Sequence, residues 1–248
     1  MSHEAPKPIT FHPEIYDRVV PFLPQATGTR VLDVGAGEGY FSRRMKDLGL
    51  DVQAVDFLTD NFKCPDIPIH KTDLNEQIPF PDASFDCVVT IEVVEHIENH
   101  FRFMREVMRV AKPGATIIIT TPNVLNLPAR WHFYLYGFTD CAPVPLDPHR
   151  EEYFMQHINP ISLPELLFHI ERGGGEMVAL TTNRIRRSAW FPMAFLPLFR
   201  YALRRKLFKP RHRQARALHE RHVRWMLDPA NLMGRVTIAV ARKNGRNG

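Results

Sequence analysis

Four carboxylates, a glycine turn and a few histidines hold most of the chemical potential of this 248-residue chain. Asp33 lies near the end of a short apolar run, residues 31–34, and Gly35-Ala36-Gly37-Glu38-Gly39 follows at once. Alternate glycines let a backbone turn tightly and let a ligand approach the main chain without meeting a side chain. A carboxylate beside such a turn repels a pyrophosphate and welcomes an ammonium group. Asp56 comes 23 residues after Asp33, at the tip of the next apolar run. A carboxylate so placed can accept both hydroxyls of a ribose, or can be a solvated turn residue. Phe57 then stands where a base could pack. Farther on, Glu92, Glu95 and His96 cluster after another apolar run, and His149 and His157 lie in a long excursion. Histidine ionises near neutral pH and suits proton abstraction from a hydroxyl. His96, His149 and His157 are therefore the candidate catalytic bases, although each also reads as a structural or solvated histidine.

These residues need elements to hold them. Residues 31–34 read as a buried strand, and residues 40–48, with Phe41, Met45 and Leu48 at helical spacing, as a helix. Strand, glycine turn and helix make the first unit of a Rossmann-like sheet, and the helix N-terminus presents N–H groups to a ligand. The dinucleotide pattern G-x-G-x-x-G is not met, since the third glycine comes one residue early and Tyr40 stands in its place. Further strands are expected at 51–55, 67–70, 85–91, 116–121, 176–182 and 234–241, with a turn at 112–115. Helices are expected within 11–23, over 99–110, and from Ser162, whose Pro164 and Glu165 complete a capping box. The first of these helices either lies over the ligand or packs on the sheet.

The pattern D-x-G-x-G-x-G at Asp33–Gly39 resembles motif I of the class I S-adenosylmethionine (SAM) methyltransferases. Pro79-Phe80-Pro81-Asp82-Ala83-Ser84-Phe85-Asp86, Glu92-Val93-Val94-Glu95-His96 and Lys112-Pro113-Gly114-Ala115 resemble segments of the branch that includes the ubiquinone-biosynthesis enzymes. The resemblance covers residues 28–122. It implies an enzyme with an α/β, Rossmann-like, seven-stranded, mostly parallel sheet, with SAM as methyl donor and S-adenosylhomocysteine as product. It also implies a cofactor site of Asp33, Gly35, Ala36, Gly37, Gly39, Tyr40, Asp56, Phe57, Asp73, Leu74 and Glu92, in which Asp73-Leu74 meets the adenine. The E-x-x-E-H segments of some ubiquinone O-methyltransferases bind a divalent ion, so Glu92, Glu95 and His96 are a weak alternative metal set, and no metal is assigned. Thr121-Pro122-Asn123 and His157-Ile158-Asn159-Pro160-Ile161-Ser162 look similar to segments of methyltransferases associated with surface-polysaccharide synthesis. That likeness implies a hydroxyl acceptor on a sugar or glycolipid intermediate. A quinone or other lipid O- or C-methyltransferase is the alternative, and a non-catalytic SAM-binding subunit is a third. The intact Asp33, Gly35, Gly37, Asp56 and Asp73 argue against the last. No N-P-P-Y-type motif for flipped bases is found, so a nucleic-acid substrate is disfavoured.

Length and an apolar fraction of 44% suit a single globular domain over residues 1–248. Two stretches exceed what the core fold needs. Residues 122–160 leave the C-terminal end of a strand, where ligand crevices form, and are expected to cover the acceptor. Residues 183–233 form a basic, aromatic insertion, expected to be helical. From 184 to 224 there are 13 Lys and Arg against one acid, Glu220, a net +12 that leaves the remainder at −7 in a chain of +5. Such a block points to an anionic partner, with an anionic membrane surface first. The alternative is a helical hairpin packed on its own sheet or on a second copy in a homodimer. Three cysteines without metal-like spacing and no N-terminal apolar region read as cytoplasmic, peripheral on the inner membrane face if the basic block binds lipid.

Overall fold

The computed structural model describes residues 12–139, 146–150, 152, 155–189, 196–207 and 216–245. Its β-branched and apolar runs become seven strands of one sheet. They are β1 (Arg30–Val34), β2 (Asp51–Asp56), β3 (Ile69–Lys71), β4 (Phe85–Ile91), β5 (Ala111–Pro122), β6 (Gly175–Thr181) and β7 (Val236–Lys243), in the order β3-β2-β1-β4-β5-β7-β6. The first five pair in parallel, and β7 runs antiparallel to both β5 and β6. The expected fold class is therefore the observed one.

Two boundaries differ from expectation for local reasons. The third strand starts at Ile69, because Pro68 has no N–H to give and contributes only its carbonyl, which accepts from the Ala54 N–H at 2.9 Å. The turn expected at 112–115 is absorbed into β5 instead. Ala111 pairs with Phe85, the register then shifts, and Gly114 takes φ +81° in the irregular stretch.

Helices cover both faces. On one side, α1 (Pro13–Val19) and α2 (Tyr40–Asp47) bury Ile15, Val19, Phe41 and Met45 against Val31, Val52, Val89 and Ile118 of the sheet. On the other, α3 (His100–Val110) and α5 (Leu163–Arg172) bury Phe103, Val107, Leu166 and Ile170 against Leu32, Val34, Val88, Ile117 and Ile119. The strand residues alternate between the two cores, as a pleated sheet buried on both faces requires. The capping box at Ser162 and Glu165 forms as expected.

Both extra stretches contain helices among their described residues. Between β5 and α5 lies α4 (Leu127–Tyr136), capped by Asn126, whose side-chain oxygen accepts from the Ala129 N–H. Between β6 and β7 lie α6 (Leu196–Leu207), α7 (Arg216–Met226) and α8 (Pro229–Met233). Trp190, Phe191, Phe195, Phe208, Lys209 and Glu151 lie outside the described residues. The helices of the insertion differ in burial. On α7, Val223 is buried, Trp225 packs on the core and His222 meets the Glu171 carboxylate of α5 at 3.3 Å, so this helix packs on its own domain core. On α6, Leu198 and Tyr201 are exposed beside Arg200, Arg204, Arg205 and Lys206. No described helix is long and apolar enough to cross a membrane.

Candidate functional site

A cavity of about 940 Å³ opens across the C-terminal ends of β1, β2 and β4. This is where a doubly wound sheet reverses its strand order, and where such sheets take ligands. Its floor on one side is the glycine turn. Gly35 sits at φ +77°, and a Cβ there would come within 2.3 Å of Val93 Cγ2, so only glycine fits this contact between the loop and the chain after β4. Gly39 does not line the cavity. It sits at the start of α2 with φ +85°, and a Cβ there would strike the Phe62 ring, so it supports the loop from behind. This corrects the expectation that all three glycines face the ligand.

The carboxylates converge on that loop. Asp56 accepts from the Gly37 N–H and the Leu58 N–H, each at 2.8 Å, one on each oxygen, which locks its carboxylate beside the turn. Burial raises its pKa, and the three backbone N–H groups around it oppose the rise. Asp33 is buried, accepts from Ser42 Oγ at 2.5 Å, and is lifted by burial to about 7, with the Asp56 charge adding to the rise. A cationic ligand group would reverse that cost. Asp73 is exposed at the cavity rim and holds an Asx turn to Asn75 through one oxygen. Ala36, Gly37, Tyr40, Phe57 and Leu74 line the same half. Tyr16 of α1 also reaches it and packs on Phe41 with ring centroids 4.9 Å apart. The first helix thus borders the ligand space and packs on the sheet at once.

The other half begins where β4 ends. Glu92 takes φ +54°, a strained conformation for a residue with a side chain. It is held by Thr120, whose carbonyl and hydroxyl receive its N–H and whose hydroxyl donates to Glu92 Oε1 at 2.8 Å. Burial raises the Glu92 pKa, and Arg235 opposes that rise. Glu95 is fully buried in the 3-10 turn Val94–His96. Its Oε2 accepts from Thr121 at 3.0 Å, its Oε1 has no partner, and burial together with the Glu92 charge raises its pKa. His96 Nδ1 meets the Gln156 carbonyl at 2.9 Å, and its ring lies edge-on to His157 at 5.0 Å. Both rings line the cavity. A carbonyl only accepts, so Nδ1 carries the proton and Nε2 is the basic atom of His96.

His149 stands apart from this group. It is exposed, its N–H closes a turn on Asp147, and it does not line the cavity. The metal grouping changes as well. Glu95, His96 and His157 each offer a ligand atom within 4.8 Å of the others, whereas Glu92 turns to Thr120. His157 replaces Glu92 because residues 155–157 fold back over the end of β4, which no local pattern announces.

The residues missed in the sequence are basic. Arg184, Arg186 and Arg235 line the cavity beyond Glu92, with Asn183 and Glu14 beside them. Arg184 and Arg186 belong to the basic block of the sequence, yet they follow β6 before the helices of that block begin. Their spacing of two in an extended segment was the available signal. Of the described residues in 122–160, Pro122, Met155 and His157 line the cavity and those of the aromatic helix α4 do not.

The methyltransferase domain family matches residues 32–119 of this chain. A protein of Mycolicibacterium smegmatis named a probable SAM-dependent methyltransferase is 30% identical over 161 residues, which cover 63% of this chain and 55% of that one. The chain thus spans about half the length of that relative. A ubiquinone biosynthesis O-methyltransferase of Xanthomonas oryzae is 28% identical over 177 residues, covering 65% and 72%. Among solved structures, a SAM-dependent methyltransferase from Archaeoglobus fulgidus superposes with TM-score 0.58 at 20% identity, covering 92% of this chain and 93% of that one, which shows the same fold.

Proposed function

We propose that this chain, which carries a class I SAM-dependent methyltransferase domain, transfers a methyl group to a hydroxyl oxygen of a small molecule. One observation carries the reading. The cradle of Asp33, the Gly35–Gly37 turn and Asp56 opens into the same cavity as His96 and His157. The cradle suits the cofactor chemically. Asp33 is a buried carboxylate awaiting an ammonium partner, Asp56 is a fixed acceptor for ribose hydroxyls, and Asp73 with Leu74 and Phe57 offers an acceptor and apolar surface for a base.

When bound, SAM supplies an electrophilic methyl group on a sulfonium. The protein's task is then alignment and proton removal. Glu92 and Val93 bend the chain where the two halves of the cavity meet. His96, oriented through Nδ1 by the Gln156 carbonyl, takes the acceptor proton at Nε2. A second reading of the same cluster is a divalent ion held by Glu95, His96 and His157, favoured by the unpartnered buried Oε1 of Glu95. Loss of turnover in EDTA, restored by Mg²⁺, Mn²⁺ or Zn²⁺, selects the ion. Full turnover in EDTA selects the base.

For the acceptor, a sugar or glycolipid intermediate is the first choice and a quinone or other lipid the second. Delivery from an anionic membrane is supported by two exposed helices. On α4, Trp131, Phe133, Tyr134, Leu135 and Tyr136 are all exposed, Tyr134 by 78%, and α6 adds Tyr201 and its four cations. Both helices contribute to one small core, Leu127 from α4 and Leu196 from α6. Co-sedimentation with phosphatidylglycerol vesicles at low salt tests this, and a protein that stays in the supernatant removes the membrane from the proposal.

The test of the central reading is thermal unfolding with S-adenosylhomocysteine. At 100 times its dissociation constant the ligand adds about 2.7 kcal/mol of stability. No shift at millimolar ligand would sink the methyltransferase reading.

A further inference from the structure

The cavity separates its charges. Asp33, Asp56 and Asp73 border the β1–β2–β3 end, and Arg184, Arg186 and Arg235 border the end next to β7. Backbone pairing forces the three arginines together. Ile185 and Gly234 form an isolated antiparallel bridge, flanked by hydrogen bonds from the Arg235 N–H to the Arg184 carbonyl at 3.0 Å and from the Arg186 N–H to the Met233 carbonyl at 2.8 Å. Arg184 therefore stands directly opposite Arg235, and Arg186 shares the Arg184 face.

Like charges directly opposite each other on paired strands destabilise the pairing. Among the described residues no carboxylate forms an ion pair with Arg184 or Arg235. Glu14 is the near acid, and its Oε2 accepts from Asn183 Nδ2 at 3.3 Å. Glu92 is committed to Thr120, and its raised pKa leaves it a weak counter-charge. The bridge itself is imposed by packing. Gly234 has no room for a Cβ, which would lie 2.2 Å from the Ala230 carbonyl, and the Asn123 amide holds the Asn231 and Gly234 carbonyls at 2.7 and 3.1 Å. Among the described residues Arg184 and Arg235 thus face each other with Glu14 and Glu92 near but outside ion-pair distance, at the end of the cavity away from the cofactor carboxylates.

We infer that the acceptor carries a phosphate or diphosphate group, bound by Arg184, Arg186 and Arg235 while its hydroxyl faces His96. Guanidinium groups bind phosphate oxygens in pairs of parallel hydrogen bonds, and two that face each other without an ion pair can share a phosphate, which offers more oxygens than a carboxylate. This inference rests on the methyltransferase reading, because the acid end of the cavity must be left for the cofactor. It also narrows the acceptor, since a neutral quinone has nothing to offer three arginines.

The test uses the full chain saturated with S-adenosylhomocysteine, titrated calorimetrically with inorganic pyrophosphate and with dodecyl phosphate below its micellar concentration. Pyrophosphate is expected to bind, and an Arg184→Gln/Arg235→Gln variant to bind it at least tenfold more weakly, with its S-adenosylhomocysteine affinity within twofold of the parent. The Arg184→Lys/Arg235→Lys variant should recover part of the loss. Dodecyl phosphate binding tenfold tighter than pyrophosphate assigns a lipid-borne acceptor, and equal or weaker binding assigns a soluble phosphorylated one. Absence of binding by both probes, or binding unchanged in the Gln variant, overturns the inference. Failure of S-adenosylhomocysteine to bind the parent is a separate result and strikes the methyltransferase reading instead.

Discussion

The two halves of the cavity are built by opposite means. The acid half comes from one continuous stretch, residues 33–74, in which each strand delivers its carboxylate at its own C-terminal tip. The basic half is assembled from the tail of β4, residues 155–157, the segment after β6 and the residue before β7. The first half is a local device repeated along parallel strands. The second exists only because distant segments pair and cross. On the proposed reading the acid half takes the cofactor and the assembled half takes the acceptor.

Substitutions should separate the halves. The largest effect is expected from His96→Ala, which lowers kcat by about 10²–10⁴ if His96 is the base. S-adenosylhomocysteine affinity should hold within twofold, and single-turnover assays beside calorimetry check both numbers. A comparable loss of cofactor affinity would break the division between the halves. Next comes Gly35→Ala, which places a methyl on Val93 and forces a side chain into the left-handed region, at a cost of about 2–4 kcal/mol. Denaturant unfolding measures it, and adding Val93→Ala should relieve the clash but not the backbone strain. Asp56→Ala should weaken S-adenosylhomocysteine by about 100-fold through lost charge-assisted hydrogen bonds, with the fold retained.

A smaller effect sharpens the comparison through pH. Burial lifts the Asp33 carboxyl from its ordinary 3.8 to about 7 in the folded chain. The stability from its bound proton is fully present below about pH 4 and is lost as pH rises through about 7. An ammonium-bearing ligand prefers the ionised form, so S-adenosylhomocysteine should bind about tenfold more tightly at pH 8 than at pH 5.5. Asp33→Asn should flatten that profile. The least effect belongs to Arg43→Ala, which removes an exposed ion pair with Asp66 and should leave the denaturant midpoint nearly unchanged.

Legibility follows the same division. Asp33 and Asp56 are legible because each lies at the end of an apolar run, whereas Asp73 follows polar residues and is legible only through the family resemblance. Of three histidines that looked equivalent in the sequence, His96 and His157 meet at 5.0 Å while His149 faces solvent. The basic block looked uniform, yet its arginines divide among the cavity (Arg184, Arg186), an exposed helix (Arg200, Arg204, Arg205) and a contact with α5 (Arg221). Glu92 belongs to the alternative metal set that the resemblance implies, but its positive φ turns it to Thr120.

The amino-acid sequence by itself determined the seven-stranded α/β class, the glycine turn and the carboxylates at the strand tips. Those features depend on hydrophobic periodicity and on which residue follows which. Only the tertiary structure decided which histidines share a cavity, that Arg184 faces Arg235, and that α7 packs while α6 stays exposed. Those outcomes depend on contacts between residues as far apart as 96 and 157, whose meeting is set by sheet order and loop closure rather than by spacing along the chain.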